Sequence, residues 1–377
     1  MVDVLYSLLT LEAFTPRGMM QLTLAMMQQS AEALRFFMWE PESRVAWQEF
    51  SNKIQAFELF QHVDTVLQLP SEGDIPLPEL VAKAYALGPY RAAWATEGLG
   101  HRYAEAHWGQ QGTPRNLLTT AQAHTLPTRS LIPLHTGMGL SLAKHLLQTV
   151  NPQSSGADVR TMLQQFVTLC RENSRVGYTG ATLEALGLVA RTLYPQMIPV
   201  IDQQLWNIDV DLVGYFWHGL GRALYFTPTN FLPCHSAPWR AVELAQSEPP
   251  HALGRLNALA GLLWAVTLVN IRQPEIIEAV LKHHGSLCFE SDALSNGMSS
   301  ALIVWQDATQ DHATITAFCQ HHLDPASPDL ERLWHDMIRG PCAEALQWVY
   351  PVLQEQGQLG AIFRYQSFAA LVDRQDH

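Results

Sequence analysis

The chain reads as an all-α protein of about seven helical hairpins, each of roughly forty residues, arranged as an α/α toroid or a superhelical solenoid. Three observations predict this. Glycines recur at a near-constant interval inside apolar runs. The stretches between them carry the i, i+3, i+4 apolar spacing of half-buried helices. No stretch sustains the period-two alternation of a strand. The marker glycines are Gly98, Gly137, Gly180, Gly219, Gly261, Gly297 and Gly340, with spacings of 39, 43, 39, 42, 36 and 43 residues.

In chain order, helices are expected around 21–37 and 43–67, and a loop with two prolines and a glycine at 71–78 leads into the first repeat. Each glycine then enters an apolar helix, and a second, amphipathic helix follows, as at 158–171, 237–246, 274–283 and 313–321. Pro195, Pro233, Gly285, Pro325 and Pro328 punctuate the units. Residues 1–90 are read as an N-terminal helical cap, 91–350 as the repeats and 351–377 as a C-terminal cap, all within a single domain 1–377. A glycine inside a helix costs about 1 kcal/mol relative to alanine, so seven of them need a reason. Small residues let two helix backbones approach closely, which makes the glycine helices the crowded inner layer.

Composition narrows the function classes. Only 15% of residues are charged against 47% hydrophobic, so the chain must bury most of its length or line a cavity. This low charge favours a closed array over an open one. Eleven Trp and eleven Met suit an irregular core or the wall of a pocket for a large apolar ligand. The net charge is −12 without any Lys/Arg cluster, which argues against nucleic acid and against anionic membranes as partners. The longest apolar stretch, 256–271, is interrupted by Asn257 and Asn270 and is short for a bilayer span. An acidic residue, Asp3, stands where a secretion signal would be positive. Five scattered cysteines without a CxxC read as free thiols, and the expected location is the cytoplasm.

If the units are equivalent, residues at one offset from the glycine share one depth. That ruler brings Glu97, His135, Tyr178, Trp217, His218 and Asn296 into a polar belt, with His101, Arg222 and Trp264 three residues beyond their glycines. Thr136, Thr179, Ser295 and Asn296 could also be helix N-caps. His101, His135, His218 and Arg222 fit capping poorly, and several buried ionisable groups at one depth suggest a polar pocket. Glu97 and His101 would pair at i, i+4. Acid–base chemistry on an apolar molecule then has Glu97 or His135 as base, His218 as acid and Arg222 as holder of developing negative charge. His101 completes the candidate catalytic set, and Tyr178, Trp217, Trp264 and Asn296 are candidate substrate contacts. No metal or other cofactor is required by this chemistry, although Glu97, His101, His135 and His218 could supply a His/Glu metal site.

Three stretches resemble a bacterial family encoded beside enediyne polyketide synthases and other natural-product gene clusters, the enediyne biosynthesis accessory proteins. They are Pro89-Tyr90-Arg91 running into Glu97-Gly98, Leu134-His135-Thr136-Gly137-Met138-Gly139, and His218-Gly219-Leu220-Gly221-Arg222-Ala223-Leu224-Tyr225-Phe226. The last is similar to the family's Gly-x-Gly-Arg motif ending in aromatics, and the resemblance covers about 89–284. It departs near Gly261, where Asn257-Ala258-Leu259-Ala260 stands in place of the family's Trp-Ser element. The resemblance implies a role in secondary metabolism on an apolar polyketide-like substrate, with an acyl carrier protein or polyketide synthase as partner. The sequence therefore points first to an enzyme that encloses such an intermediate and assists its cyclisation, isomerisation or maturation. A non-catalytic scaffold or carrier is the second reading, and a metal-dependent oxygenase the third.

Overall fold

Apolar spacing in the sequence is converted into helix throughout. The computed structural model describes residues 43–69, 75–227, 237–288, 291–323 and 327–372, and every regular element among them is helical. The helix expected at 21–37 lies outside the described residues.

Helix α1 (Ser43–Gln61) and a turn at Val63–Val66 precede α2 (Leu77–Tyr85) and α3 (Pro89–Gln111). Next come α4 (Leu131–Leu147), α5 (Gly156–Asn173), the short α6 (Thr179–Leu183), α7 (Ala185–Leu193), α8 (Ile198–Ile208) and α9 (Val210–Phe226). The chain continues through α10 (Ala237–Ser247), α11 (Ala252–Asn270), α12 (Glu275–Cys288), α13 (Ala293–Thr309) and α14 (His312–Cys319). The expected loop at 71–78 ends early. Pro78 needs no backbone N–H partner in a first helical turn, so α2 begins at Leu77.

Two kinds of helix occur, although no second helix separates α3 from α4, where the repeat reading expected one. Helices α4 and α13 bury 15 of 17 and 16 of 17 residues, so they lie inside the protein. Helix α5 buries only 8 of 18, on the stripe of Val159, Met162, Leu163, Phe166, Val167 and Cys170. Ser155 starts it with a capping box: its hydroxyl accepts the Asp158 N–H at 3.2 Å, and the Asp158 carboxylate accepts the Ser155 N–H at 3.1 Å.

Apart from Gly180, the second residue of α6, the glycines sit inside their helices rather than at their entrances; Thr136, Ser295 and Asn296 are therefore not caps, and at α6 the cap position is Tyr178 rather than Thr179. Thr136 donates back to the Ile132 carbonyl at 3.0 Å, while Ser295 and Asn296 donate to the Met337 and Gln366 carbonyls, both at 2.7 Å. A Cβ on Gly137 would lie well under 3.0 Å from the Glu97 backbone, and one on Gly139 would lie 2.5 Å from the Thr182 carbonyl oxygen. Positions i and i+2 point about 200° apart on a helix, so a Gly-x-Gly pair admits a neighbour on each side. Gly219 and Gly221 repeat the device against Glu184 and Ala258. The seventh glycine does not: at Gly340 the nearest atom is the His335 carbonyl oxygen of its own helix, at 3.3 Å. That helix runs from Pro328 to Glu355 and contains two π-helical stretches, His335–Arg339 and Ala345–Val349.

Contacts run from α1 to α3, α4, α7, α9, α11 and α13 in turn, and α13 also touches α3 and α4. Helix α11 is long and apolar enough to cross a membrane, but it is packed between α9 and α13 in the core. A 3-10 turn at Leu359–Phe363 brings Phe363 to 6.3 Å from the His218 ring and 5.9 Å from Trp264.

Candidate functional site

The sequence places Arg222 one position after Gly221 on a helix that is apolar almost all round. Its stem therefore has nowhere to go but inward, and its charge must find partners there. It finds two carboxylates. Arg222 Nη2 donates to Glu97 Oε1 at 2.5 Å and Nη1 to Glu184 Oε2 at 3.3 Å. The other oxygen of Glu184 meets His218 Nδ1 at 2.9 Å. A buried chain of Glu97, Arg222, Glu184 and His218 thus links α3, α9 and the α6–α7 junction. The guanidinium also lies 4.9 Å from the Trp264 ring centre, a cation–π contact.

The two carboxylates are pushed apart in acidity. Burial presses Glu97 above the ordinary range; Arg222 offsets part of this and Glu184 adds to it. Burial acts on Glu184 too, but Arg222 and His218 together outweigh it and hold that carboxyl below its usual range. Arg222 rises: burial opposes its charge, and the two glutamates overcome the opposition. A pair of carboxylates driven in opposite directions is a frequent mark of acid–base work.

Glu97 and Arg222 form part of the wall of a cavity of about 370 Å³ between α1, α3, α4, α7 and α9. Most of the wall is apolar: Phe57, Phe60, Trp94, Leu140, Leu188 and Phe226. Glu97 is the one carboxylate among the described lining residues, and Lys144 and Arg191 supply further charge there, with His101 as a polar ring.

The residues singled out from the sequence divide into three groups. Glu97, His101 and Arg222 share the cavity, and His218 stands one carboxylate behind it. The expected Glu97–His101 pair does not form, because Glu97 is taken by Arg222 and His101 faces Glu105 at 3.7 Å. Burial lowers His101, Glu105 opposes this, and Lys144 and His145 add to it.

His135 leaves the candidate set. Its Nδ1 meets the Leu131 carbonyl at 2.6 Å and its Nε2 accepts the Arg175 backbone N–H at 2.9 Å. Both nitrogens are satisfied by backbone, and burial drives its pKa down to about 4. Tyr178 stacks on that ring at 5.1 Å, away from the cavity. Trp217 is buried against α8, donating to Asp202 at 2.6 Å, and does not line the cavity. Asn296 lies in a separate surface cleft with Ser291 and Asp336. Trp264 lines a smaller void of about 20 Å³ on the far side of Glu97. Among the described residues no three His, Cys, Asp or Glu side chains converge as metal ligands, so the set of Glu97, His101, His135 and His218 does not assemble.

No protein-family model, curated protein or solved structure matches this chain.

Sequence reasoning missed Glu184, which turns an ion pair into a chain. The signal was present: Glu184 is the lone charged residue between Tyr178 and Arg191, in a run otherwise rich in Ala, Leu and Gly. It stands four residues after its glycine, one step beyond the offset that found Arg222. The cavity aromatics of α1, Phe57 and Phe60, belong to a helix read only as part of a cap.

Proposed function

We propose that this chain is a biosynthetic accessory enzyme that encloses an apolar, polyketide-like substrate and assists its cyclisation, isomerisation or maturation by proton transfer. The observation that carries the proposal is Glu97: a carboxyl whose pKa burial raises above its ordinary value, on the wall of a mainly apolar cavity and hydrogen-bonded to a buried arginine. A carboxyl that holds its proton more tightly than usual is suited to taking and returning one. Arg222 holds negative charge that develops on the substrate. His218 does not line the cavity, and its part is to fix Glu184 and through it the guanidinium. The resemblance to the enediyne accessory family supplies the polyketide-like class, and an acyl carrier protein or polyketide synthase as the partner that delivers it.

The same reading takes the glycine helices as an α/α toroid around this centre. The contacts of α13 with α3 and α4 support closure, because an open superhelix leaves its first and last units apart.

A neutral apolar fluorophore such as Nile red tests the enclosed site. It should bind the wild-type protein and be excluded by Ala223→Trp, whose indole fills the cavity. Unaltered binding in a folded Ala223→Trp protein would refute the site. Glu97→Gln separates enzyme from carrier: in cells making the natural product it should abolish product formation while fluorophore binding persists. Full product formation with a folded Glu97→Gln protein leaves the carrier reading standing and ends the acid–base one.

A further inference from the structure

The cavity that carries Glu97 is graded from depth to mouth. Trp94, Glu97, Leu140, Val189 and Ala223 of its wall are buried, each at most 7% exposed. Lys144 and Arg191 line it as well, but their side chains keep 37% and 18% of their surface open to solvent. Helix spacing accounts for this. Lys144 stands four residues after Leu140 on α4, and Arg191 three after Leu188 on α7, and both leucines belong to the wall. Each cation therefore lies one turn further along the face that its leucine gives to the cavity. Two helices thus end an apolar cavity face on a positive charge at the solvent side.

Each cation has a carboxylate neighbour that is not part of the wall. Lys144 Nζ is 3.5 Å from Glu105, and Arg191 Nη1 is 2.8 Å from Glu248. Neither pairing uses up its cation. Glu105 is shared, since it also accepts the Ser141 hydroxyl at 2.9 Å and lies 3.2 Å from His145 Nε2. Glu248 takes one nitrogen of a guanidinium that has five N–H donors. Partly exposed ion pairs hold their members weakly, so a ligand anion at the mouth can draw on both cations. A cationic head would meet Lys144 and Arg191 there, with Arg222 further along the wall.

We infer that the cavity takes an amphipathic carboxylate, its apolar body inside against Glu97 and its charged head held at the mouth by Lys144 and Arg191. This rests on the reading of the cavity as a ligand site and adds the sign of the ligand's charge and its orientation. A head anchored at the mouth stays in water, so no further charge has to be buried. The same anchoring decides which end of the molecule reaches Glu97: the apolar end, remote from the head.

Isothermal titration calorimetry of the full chain at pH 8 tests this with decanoate, 1-decanol and decyltrimethylammonium, three heads on one hydrocarbon chain, each below its solubility and micelle limits. Decanoate should bind about 10-fold more tightly than decanol, the scale of charge-assisted hydrogen bonds at a partly exposed site, and the ammonium should bind weakest. The preference for decanoate should shrink as salt is raised. The double variant Lys144→Gln, Arg191→Gln should bind decanoate and decanol alike, with decanol affinity unchanged from the wild type, which also shows that it folds. Equal binding of decanoate and decanol by the wild type, tighter binding of the ammonium, or a preference that survives in the double variant overturns the inference and leaves the cavity reading intact. If none of the three compounds binds the wild type, both fall.

Discussion

At the scale of single residues, the buried chain is held by complementary charge, and its members are not equivalent. Arg222 faces two carboxylates, so its removal strands both; Glu97 faces one partner and can escape by taking a proton. Arg222→Leu should therefore cost about 3–5 kcal/mol at pH 7, the usual penalty for breaking a buried ion pair from one side. The loss should shrink as pH falls, because the abandoned Glu97, already raised by burial, becomes neutral. The triple variant Glu97→Gln, Glu184→Gln, Arg222→Leu should regain part of the stability, because no uncompensated charge is left. Urea unfolding of the three proteins measures this. A single variant as stable as the wild type would mean that Arg222 does not hold the two carboxylates. The positions of Glu97, Arg222 and His218 were legible because each is a charged or polar intrusion at a fixed offset in an apolar helix. The role of His135 was not. A histidine whose ring nitrogens are both claimed by backbone looks the same in sequence as one that faces a ligand.

At the scale of elements, the glycines are the means by which the helices approach, and their effect is separable from helix propensity. Gly221 and Gly109 lie in helices, but a Cβ on Gly221 would drive into the Ala258 backbone, whereas one on Gly109 meets nothing within 4 Å. Gly109→Ala should stabilise the protein by about 0.5–1 kcal/mol through propensity alone. Gly221→Ala should destabilise by more than that propensity gain, since backbone cannot retreat as a side-chain tip can, and overpacking typically costs about 1–3 kcal/mol. Thermal unfolding of both variants gives the comparison, and a Gly221→Ala protein at or above the wild-type midpoint would contradict the close crossing. The close crossings at Gly98, Gly137, Gly219, Gly261 and Gly297 were readable because a close helix crossing tolerates almost nothing but glycine. The ruler failed at its ends. Gly340 sits in a helix with π-helical stretches and marks no close approach of a neighbouring helix, and Asn296, measured from Gly297, lies in a different cleft. Glycines spaced at a near-constant interval mark close approaches, but the side chains one residue before each glycine still turn toward whichever neighbour is present.

At the scale of the whole molecule, acid stability is set by two opposing buried groups far from the cavity chain in sequence. His135 titrates near 4 in the folded state because burial disfavours its charged form. Its folded value lies below the ordinary 6.5, so folding is favoured above that pH and weakened as pH falls toward 4. Asp307 behaves in the opposite sense. Burial raises it to about 6, with Tyr350 opposing the rise, and its Oδ2 has no hydrogen-bond partner. The folded protein holds that proton more tightly than the unfolded chain, so stability is full below about pH 4 and is lost as pH rises through 6. Each shift is worth about 3 kcal/mol, and across the same window the two nearly cancel. Glu97 acts in the sense of Asp307, and Glu184 in the sense of His135. Asp307→Asn should remove one arm of this balance. Relative to wild type, the variant should gain about 3 kcal/mol between pH 4 and pH 7, and its own stability should climb with pH where that of the wild type is nearly flat. Urea midpoints at four or five pH values give the difference curve, in which the groups common to both proteins drop out. A flat difference would show that Asp307 ionises as freely in the folded protein as in the unfolded chain.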